Sequence, residues 1–204
     1  SLDLPNGLTS IGDFAFAGCH GFPTVSIPST VTNIGVNAFM DCKSLTAFEV
    51  DESNPNYASL NGALFNKQQD MLLQYPGGLA GVYSIPDTVK TIRVRAFCGC
   101  DELTSINIPS SVTTIGHMAF GECKALRSIR IPGSVNSIEN GAFLGCEKLK
   151  RMYFGGNAPA VEMPTFPDVS GFKIIRAPES TGFDVPPWTD YDVEIFSRRM
   201  MPID

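Results

Sequence analysis

Charge is scarce in this chain: Asp, Glu, Lys and Arg make up 18% of the 204 residues, against about a quarter in an ordinary globular protein. Ser, Thr, Asn and Gly must therefore cover much of the surface. What charge there is sums to -6, which argues against nucleic acid or an anionic membrane as a main partner, since both select basic surfaces. No stretch approaches the roughly 18 consecutive apolar residues of a membrane span. Ser1 is not followed by a basic start and an apolar run, so no signal peptide is expected within these residues. The opening SLDLP already lies inside a repeat, as expected of a processed or trimmed fragment. Histidine is nearly absent. His20 and His117 are too far apart in the repeat order to act together, and both read as solvated surface residues. Neither a phosphate-binding loop nor a nucleophile elbow occurs. No cofactor, metal site or catalytic residue is expected, and the chain does not read as an enzyme.

What the chain does have is a repeat. Five segments, beginning at Leu4, Ile27, Ile85, Ile108 and Ile131, align without gaps at a period of 23 residues. Proline recurs at 5, 28, 86, 109 and 132, an Ala-Phe pair ends at Phe16, Phe39, Phe97, Phe120 and Phe143, and cysteine recurs at 19, 42, 100, 123 and 146. In the copy from Ile108 the apolar positions fit neither one long helix nor one long strand. They fit a coil that bends several times and returns apolar side chains to one axis. The piece Leu126-x-x-Ile129-x-Ile131 carries the LxxLxL strand signature, and the proline behind it removes a donor and stops the ladder. One such coil cannot cover its own apolar edges, so its neighbours must. The expected architecture is an all-β-like solenoid with a parallel sheet on the concave face and short turns or 3₁₀ pieces on the convex side.

Two stretches break the pattern. Residues 51–84 form one expanded, irregular coil. Asn61-Gly62 signals a hairpin there, and GALFNKQQDMLLQYPGG reads as two short strands around a polar turn. It is either a tolerated decoration or a functional insertion. From Gly155 the chain becomes rich in proline and aromatics and holds its only tryptophan, Trp188. The expected organisation is a repeat array over 1–154 and a degenerate repeat with a terminal cap over 155–204.

The phrase IPxSVTxIGxxAFxxCxxLTSI resembles the BspA-like leucine-rich repeat family of bacterial surface proteins. The interruption VDESNPNYASLNGALFNKQQDMLLQYPGG and the YFGGNAP-led tail resemble that family as well. The resemblance implies a right-handed solenoid, export to the cell surface or secretion, and a role in adhesion or in host and community interaction. It carries no catalytic residues. Where the family pattern has glycine at 12, 35 and 116, this chain has Arg93 and Glu139 in two coils. That glycine is therefore not needed for positive φ, and the replacements read as added charge on the outer face.

Six cysteines in an exported chain raise the question of disulfides. In-register coils would hold equivalent Cβ atoms about 4.8 Å apart, whereas a disulfide prefers roughly 3.8 Å. The column Cys19, Cys42, Cys100, Cys123 and Cys146 therefore reads as reduced and buried, and Cys98 as a semi-exposed thiol. Within LxxLxL the two residues flanking the middle apolar position point outwards. They are Thr24 and Ser26, Ala47 and Glu49, Ser105 and Asn107, Ser128 and Arg130, and Arg151 and Tyr153, with Val82 and Ser84 aligned in the irregular coil. This stripe starts small and neutral and becomes basic and aromatic. Glu49, Ser105, Asn107, Ser128, Arg130, Arg151 and Tyr153 are the candidate partner-binding residues, for an unidentified protein or glycan. Two alternatives stand beside a protein-binding or adhesion module: a structural spacer that displays another domain, and a glycan-binding module.

Overall fold

The computed structural model describes residues 1–196; residues 197–204 of the expected cap lie outside them. The chain winds into a β-solenoid of about eight turns. Each regular coil is built alike. A four- or five-residue strand such as Ser128–Ile131 runs into the proline turn. A two-residue strand such as Ser137–Ile138 follows, and an arc of turns leads back. The long strands pair in parallel one period apart, with Ser128 opposite Arg151, Ile129 opposite Met152 and Arg130 opposite Tyr153. The two-residue strands form a second parallel sheet, Thr91–Ile92, Thr114–Ile115, Ser137–Ile138 and Ala160–Val161 among them. Two residues carry no readable periodicity, so the sequence gives no sign of that sheet. The outer arcs are turns. The one 3₁₀ segment among the described residues, Trp188–Asp190, lies in the closing segment and not on the convex side.

Every regular arc passes twice through the left-handed region. The residue before Ala-Phe does so (Asn37 at φ 59°, Arg95 at 56°, Met118 at 50°), and so does the residue before the column cysteine (Gly99 at 74°, Glu122 at 59°, Gly145 at 72°). These two reversals turn the Phe and Cys side chains of each arc inwards. The phenylalanines then stack from coil to coil, with ring centroids 5.0 Å apart for Phe97–Phe120 and 5.3 Å for Phe120–Phe143. At the glycine column the reading on φ holds, since Gly35 and Gly116 are not among the positive-φ residues. The constraint is close approach: a Cβ on Gly116 would lie 2.7 Å from the Val94 nitrogen. Glu139 also does more than charge the surface, because its carboxylate accepts the His117 N–H at 2.8 Å.

All six cysteines are free thiols. Cys42, Cys123 and Cys146 each donate to the carbonyl of the phenylalanine one coil back, at 3.1, 3.1 and 3.0 Å. These three thiols therefore each satisfy a carbonyl of the neighbouring coil. Two expectations need correction. Cys19 is only partly buried, because it sits in the first coil, where no coil packs on its outer side. Cys98 is buried and not semi-exposed. Burial raises the thiol of Cys42 to about 11 and that of Cys146 to about 12, so these groups stay protonated and unreactive.

The irregular coil is part of the interior. Tyr57–Leu60 and Ala63–Asn66 form an antiparallel hairpin through Asn61-Gly62, both residues at positive φ (50° and 80°), as a two-residue hairpin turn requires. Met71–Gln74 pairs antiparallel with the second hairpin strand and parallel with Thr91–Ile92, tying the insertion to the second sheet. Its side chains alternate between two cores. Ala63, Phe65, Leu72 and Tyr75 join the large cluster that runs on to Trp188, while Leu64 and Leu73 join a smaller one with Ile11, Val25, Phe39 and Phe48. The reading of 51–84 as a surface decoration is thus overturned: the segment is a partition. It also divides the long-strand sheet. Ala47–Val50 does not pair with Gly81–Ser84, and the Phe48 N–H is taken by the Gly62 carbonyl at the hairpin tip.

The closing segment keeps the period of the phenylalanine column. Phe166 falls one period after Phe143 and stacks on it at 6.5 Å. Trp188 then plugs the end, 3% exposed, with its ring 4.9 Å from Phe183 and 5.3 Å from Phe154. The last strand, Asp192–Ile195, is a charged edge, which discourages further strand pairing.

Candidate binding face

The strand alternation expected from LxxLxL holds along the long-strand face. In Ser128–Ile131 and Arg151–Phe154 the middle and last residues are buried, and Ser128, Arg130, Arg151 and Tyr153 lie on the outward side, Tyr153 half-buried and the others exposed. Glu49, Ser105 and Asn107 are outward too. The structure does not bring all seven candidates together. Glu49 lies in the first sheet segment, where Ser26 donates to Asp3 at 3.0 Å and lies 3.5 Å from Glu49. Asn107 donates to Ser84 at 3.0 Å in the middle segment. Ser128, Arg130, Arg151 and Tyr153 form the third.

Within that third segment the register fixes the neighbours. Arg130 stands opposite Tyr153, Arg151 stands between Ser128 and Lys173, and Tyr153 stands between Arg130 and Ile175. Arg130 and Arg151 are therefore diagonal neighbours on adjacent strands. The face thus starts acidic, with Asp3 and Glu49, turns basic at Arg130 and Arg151, and closes on a last strand that carries Asp192 and Glu194. Lys173 is tied to the last strand. Its ammonium pairs with Glu194 and with Asp192 at 3.4 Å, and the hydrogen bond to Glu194 is the first cause that holds its pKa above the usual lysine value.

At the basic end, a cavity of 210 Å³ opens between the strands. Arg130 and Tyr153 line it, joined by Ile175, Arg176, Glu179 and Phe196, which sequence reasoning missed. They were hidden because the coil after Phe154 reads Phe172-Lys173-Ile174-Ile175-Arg176. The strand register is one residue shorter there, Arg151 pairing with Lys173, and Gly171 and Arg176 stand where LxxLxL has its first and last apolar residues. The spacing of Phe166 behind Phe143 was the available signal. Other cavities lie on the outer side. One of 350 Å³ sits where the irregular coil has a shortened arc, lined by Met40, Asp41, Arg95, Cys98 and others, and bridged by the Lys43–Asp101 ion pair at 2.8 Å. Among the described residues no group of three His, Cys, Asp or Glu side chains is placed to hold a metal ion.

The repeat matches one known repeat type. A family profile described as BspA type Leucine rich repeat region matches six copies, over residues 1–71 and 82–182. The chain belongs to the BspA-type leucine-rich repeat family. Solved structures agree. A leucine-rich repeat protein from Eubacterium ventriosum is 30% identical, with a TM-score of 0.72 over 86% of this chain and 48% of that one. A leucine rich cell surface protein from Faecalibacterium prausnitzii is 25% identical, with a TM-score of 0.57 over 74% of this chain and 52% of that one. The pneumococcal vaccine antigen PcpA, at 22% identity and a TM-score of 0.73, covers 94% of this chain and 55% of its own and shares the fold. The chain thus spans about half the length of the structures it matches. No curated protein sequence matches it significantly. No helix among the described residues of this BspA-type chain is long and apolar enough to cross a membrane.

Proposed function

We propose that this BspA-type chain is a non-enzymatic binding module, secreted or held at the cell surface, that captures a protein or glycan on the basic third of its long-strand face. The observation that carries the reading is the register there: Arg130 and Tyr153 are directly opposed and Arg151 is diagonal to Arg130. Arg and Tyr are the residue types that dominate binding hot spots. None of the three belongs to either core cluster, so contact with a partner would not compete with the core. Likeness to a leucine rich cell surface protein of solved structure supports the location. A glycan array and a pull-down with the intact chain, repeated with Arg130, Arg151 and Tyr153 all changed to Ala, test the reading. Binding should vanish with the melting temperature kept. A chain that binds nothing in either screen would instead favour the spacer.

A further inference from the structure

We propose that the solenoid hinges at the joint between the coil that ends in Leu103–Asn107 and the coil that ends in Ser128–Ile131, and that its long-strand face opens and closes there, just ahead of the basic patch. The proposal goes beyond the binding reading above and does not depend on it.

Three observations set this joint apart. The first is backbone pairing. Leu103–Asn107 pairs with Gly81–Ser84, and Ser128–Ile131 with Arg151–Phe154, but the two strands do not pair with each other. Elsewhere the long strands are fastened at their ends. Thr46, Lys150 and Lys173 donate to Pro23, Arg127 and Lys150 of the coil before, at 2.7, 3.0 and 2.9 Å, and Leu4 and Ile85 donate to Ser26 and Asn107 of the coil after, at 3.3 and 3.0 Å. The equivalent N–H groups at this joint, those of Arg127 and Ile108, make no backbone hydrogen bond among the described residues. A further fastening, such as the donation of Gly155 to Ile131, is impossible here because Pro132 has no N–H. At the other break in this sheet, beside the hairpin, Phe48 and Gly78 still donate across, to Gly62 and Leu45, both at 2.8 Å. The second observation is burial. Ile108 is partly exposed, whereas its equivalents Ile27, Ile85 and Ile131 are 1%, 4% and 1% exposed. The third is that the opposite side of the same joint is intact. Arg95, Phe97 and Gly99 donate to His117, Ala119 and Gly121 at 2.9, 2.7 and 2.9 Å, Thr91–Ile92 pairs with Thr114–Ile115, and Phe97 stacks on Phe120. One side fastened and the other unfastened makes a hinge whose axis runs along the outer arcs.

The irregular coil supplies the cause. Leu103–Asn107 carries a bulge between Leu103 and Ser105, where it pairs with Gly81 and Val82. A bulge bends and twists the strand that holds it, so pairing with the irregular coil turns this strand away from the regular coil on its other side. Ile106 and Ile129 stay buried, so the core remains sealed beneath the open ladder. Ser105 and Asn107 lie on one side of the joint, and Arg151 and Tyr153 on the other. Bending changes their spacing, and a partner that touches both sides selects one angle.

Two measurements on the intact chain test this together. In native hydrogen exchange, the Arg127 and Ile108 amides should exchange about a hundredfold faster than those of Lys150 and Ile85, their fastened equivalents. In methyl relaxation-dispersion NMR, Ile106 and Ile129 should show exchange on the microsecond-to-millisecond timescale. Ile92 and Ile115, in the fastened sheet of the same two coils, should show none. Protection of Arg127 and Ile108 equal to that of Lys150 and Ile85 would mean a closed ladder and overturn the proposal. So would the absence of dispersion at Ile106 and Ile129, which would mean a fixed gap, and equal dispersion at all four isoleucines, which would mean that whole coils move and not one side of a joint.

Discussion

Phe120 shows how one residue type, repeated in register, sustains the molecule. Its ring is fully buried and stacks on Phe97 and Phe143 at once, and its carbonyl accepts the Cys146 thiol. Truncation to Ala removes contacts in three coils, and the expected cost is about 3–5 kcal/mol in chemical denaturation. A loss below about 1 kcal/mol would mean the stack contributes little. The cysteines give two further tests. Native thiol labelling should modify Cys19 first and leave Cys98 untouched, the reverse of what the sequence alone suggests; rapid labelling of Cys98 would contradict its burial. The thiols also couple stability to alkaline pH. Burial lifts Cys42 from 9.0 to about 11 and Cys146 from 9.0 to about 12. Between the unfolded and folded values the native state holds protons that the unfolded state has released. Stability should therefore be full below pH about 9 and fall as the pH rises through about 11 to 12. A melting temperature that stays flat from pH 8.5 to 11.5, on the same linkage argument, would contradict it.

The insertion is the element in which sequence and structure diverge most. Its hairpin and its two strands around a polar turn were legible, because Asn-Gly and short apolar runs are local signals. Its role was not. Whether Ala63, Leu64 and Phe65 face solvent or core depends on the neighbouring coils, and three consecutive apolar residues carry no alternation to read. The structure gives Leu64 to one core and Phe65 to the other. Single truncations should therefore separate. Leu64→Ala should raise amide hydrogen exchange in coils 4–49, and Phe65→Ala should raise it from residue 85 onward, each by loosening the cluster it fills. Equal effects of both variants on both halves would show one continuous core. The strand stripe was legible for the opposite reason: LxxLxL fixes which residues alternate inwards, and Arg130, Arg151 and Tyr153 stand where that rule puts them. Lys173 and Arg176 were not, since the loss of one residue from the register hides a strand from any fixed spacing.

At the scale of the whole molecule, a repeat array with two cores, an aromatic plug at one end and a face with a basic patch at Arg130 and Arg151 is a scaffold with one distinctive surface region. Stacked coils share stability with their neighbours, so outward positions are free to vary without cost to the fold. The differences along the face are therefore where the proposed binding role is to be tested. The most direct measurement is the affinity of an identified partner for two triple variants of the same chain. One removes Arg130, Arg151 and Tyr153 at the basic end; the other changes Thr24, Ser26 and Glu49 to Ala on equivalent outward positions of the first two coils. The expected result is loss of binding by more than about a hundredfold in the first, in keeping with removal of several hot-spot residues, and unchanged affinity in the second, with both variants melting close to the parent. Equal affinity of the two variants would contradict the assignment of binding to the basic end.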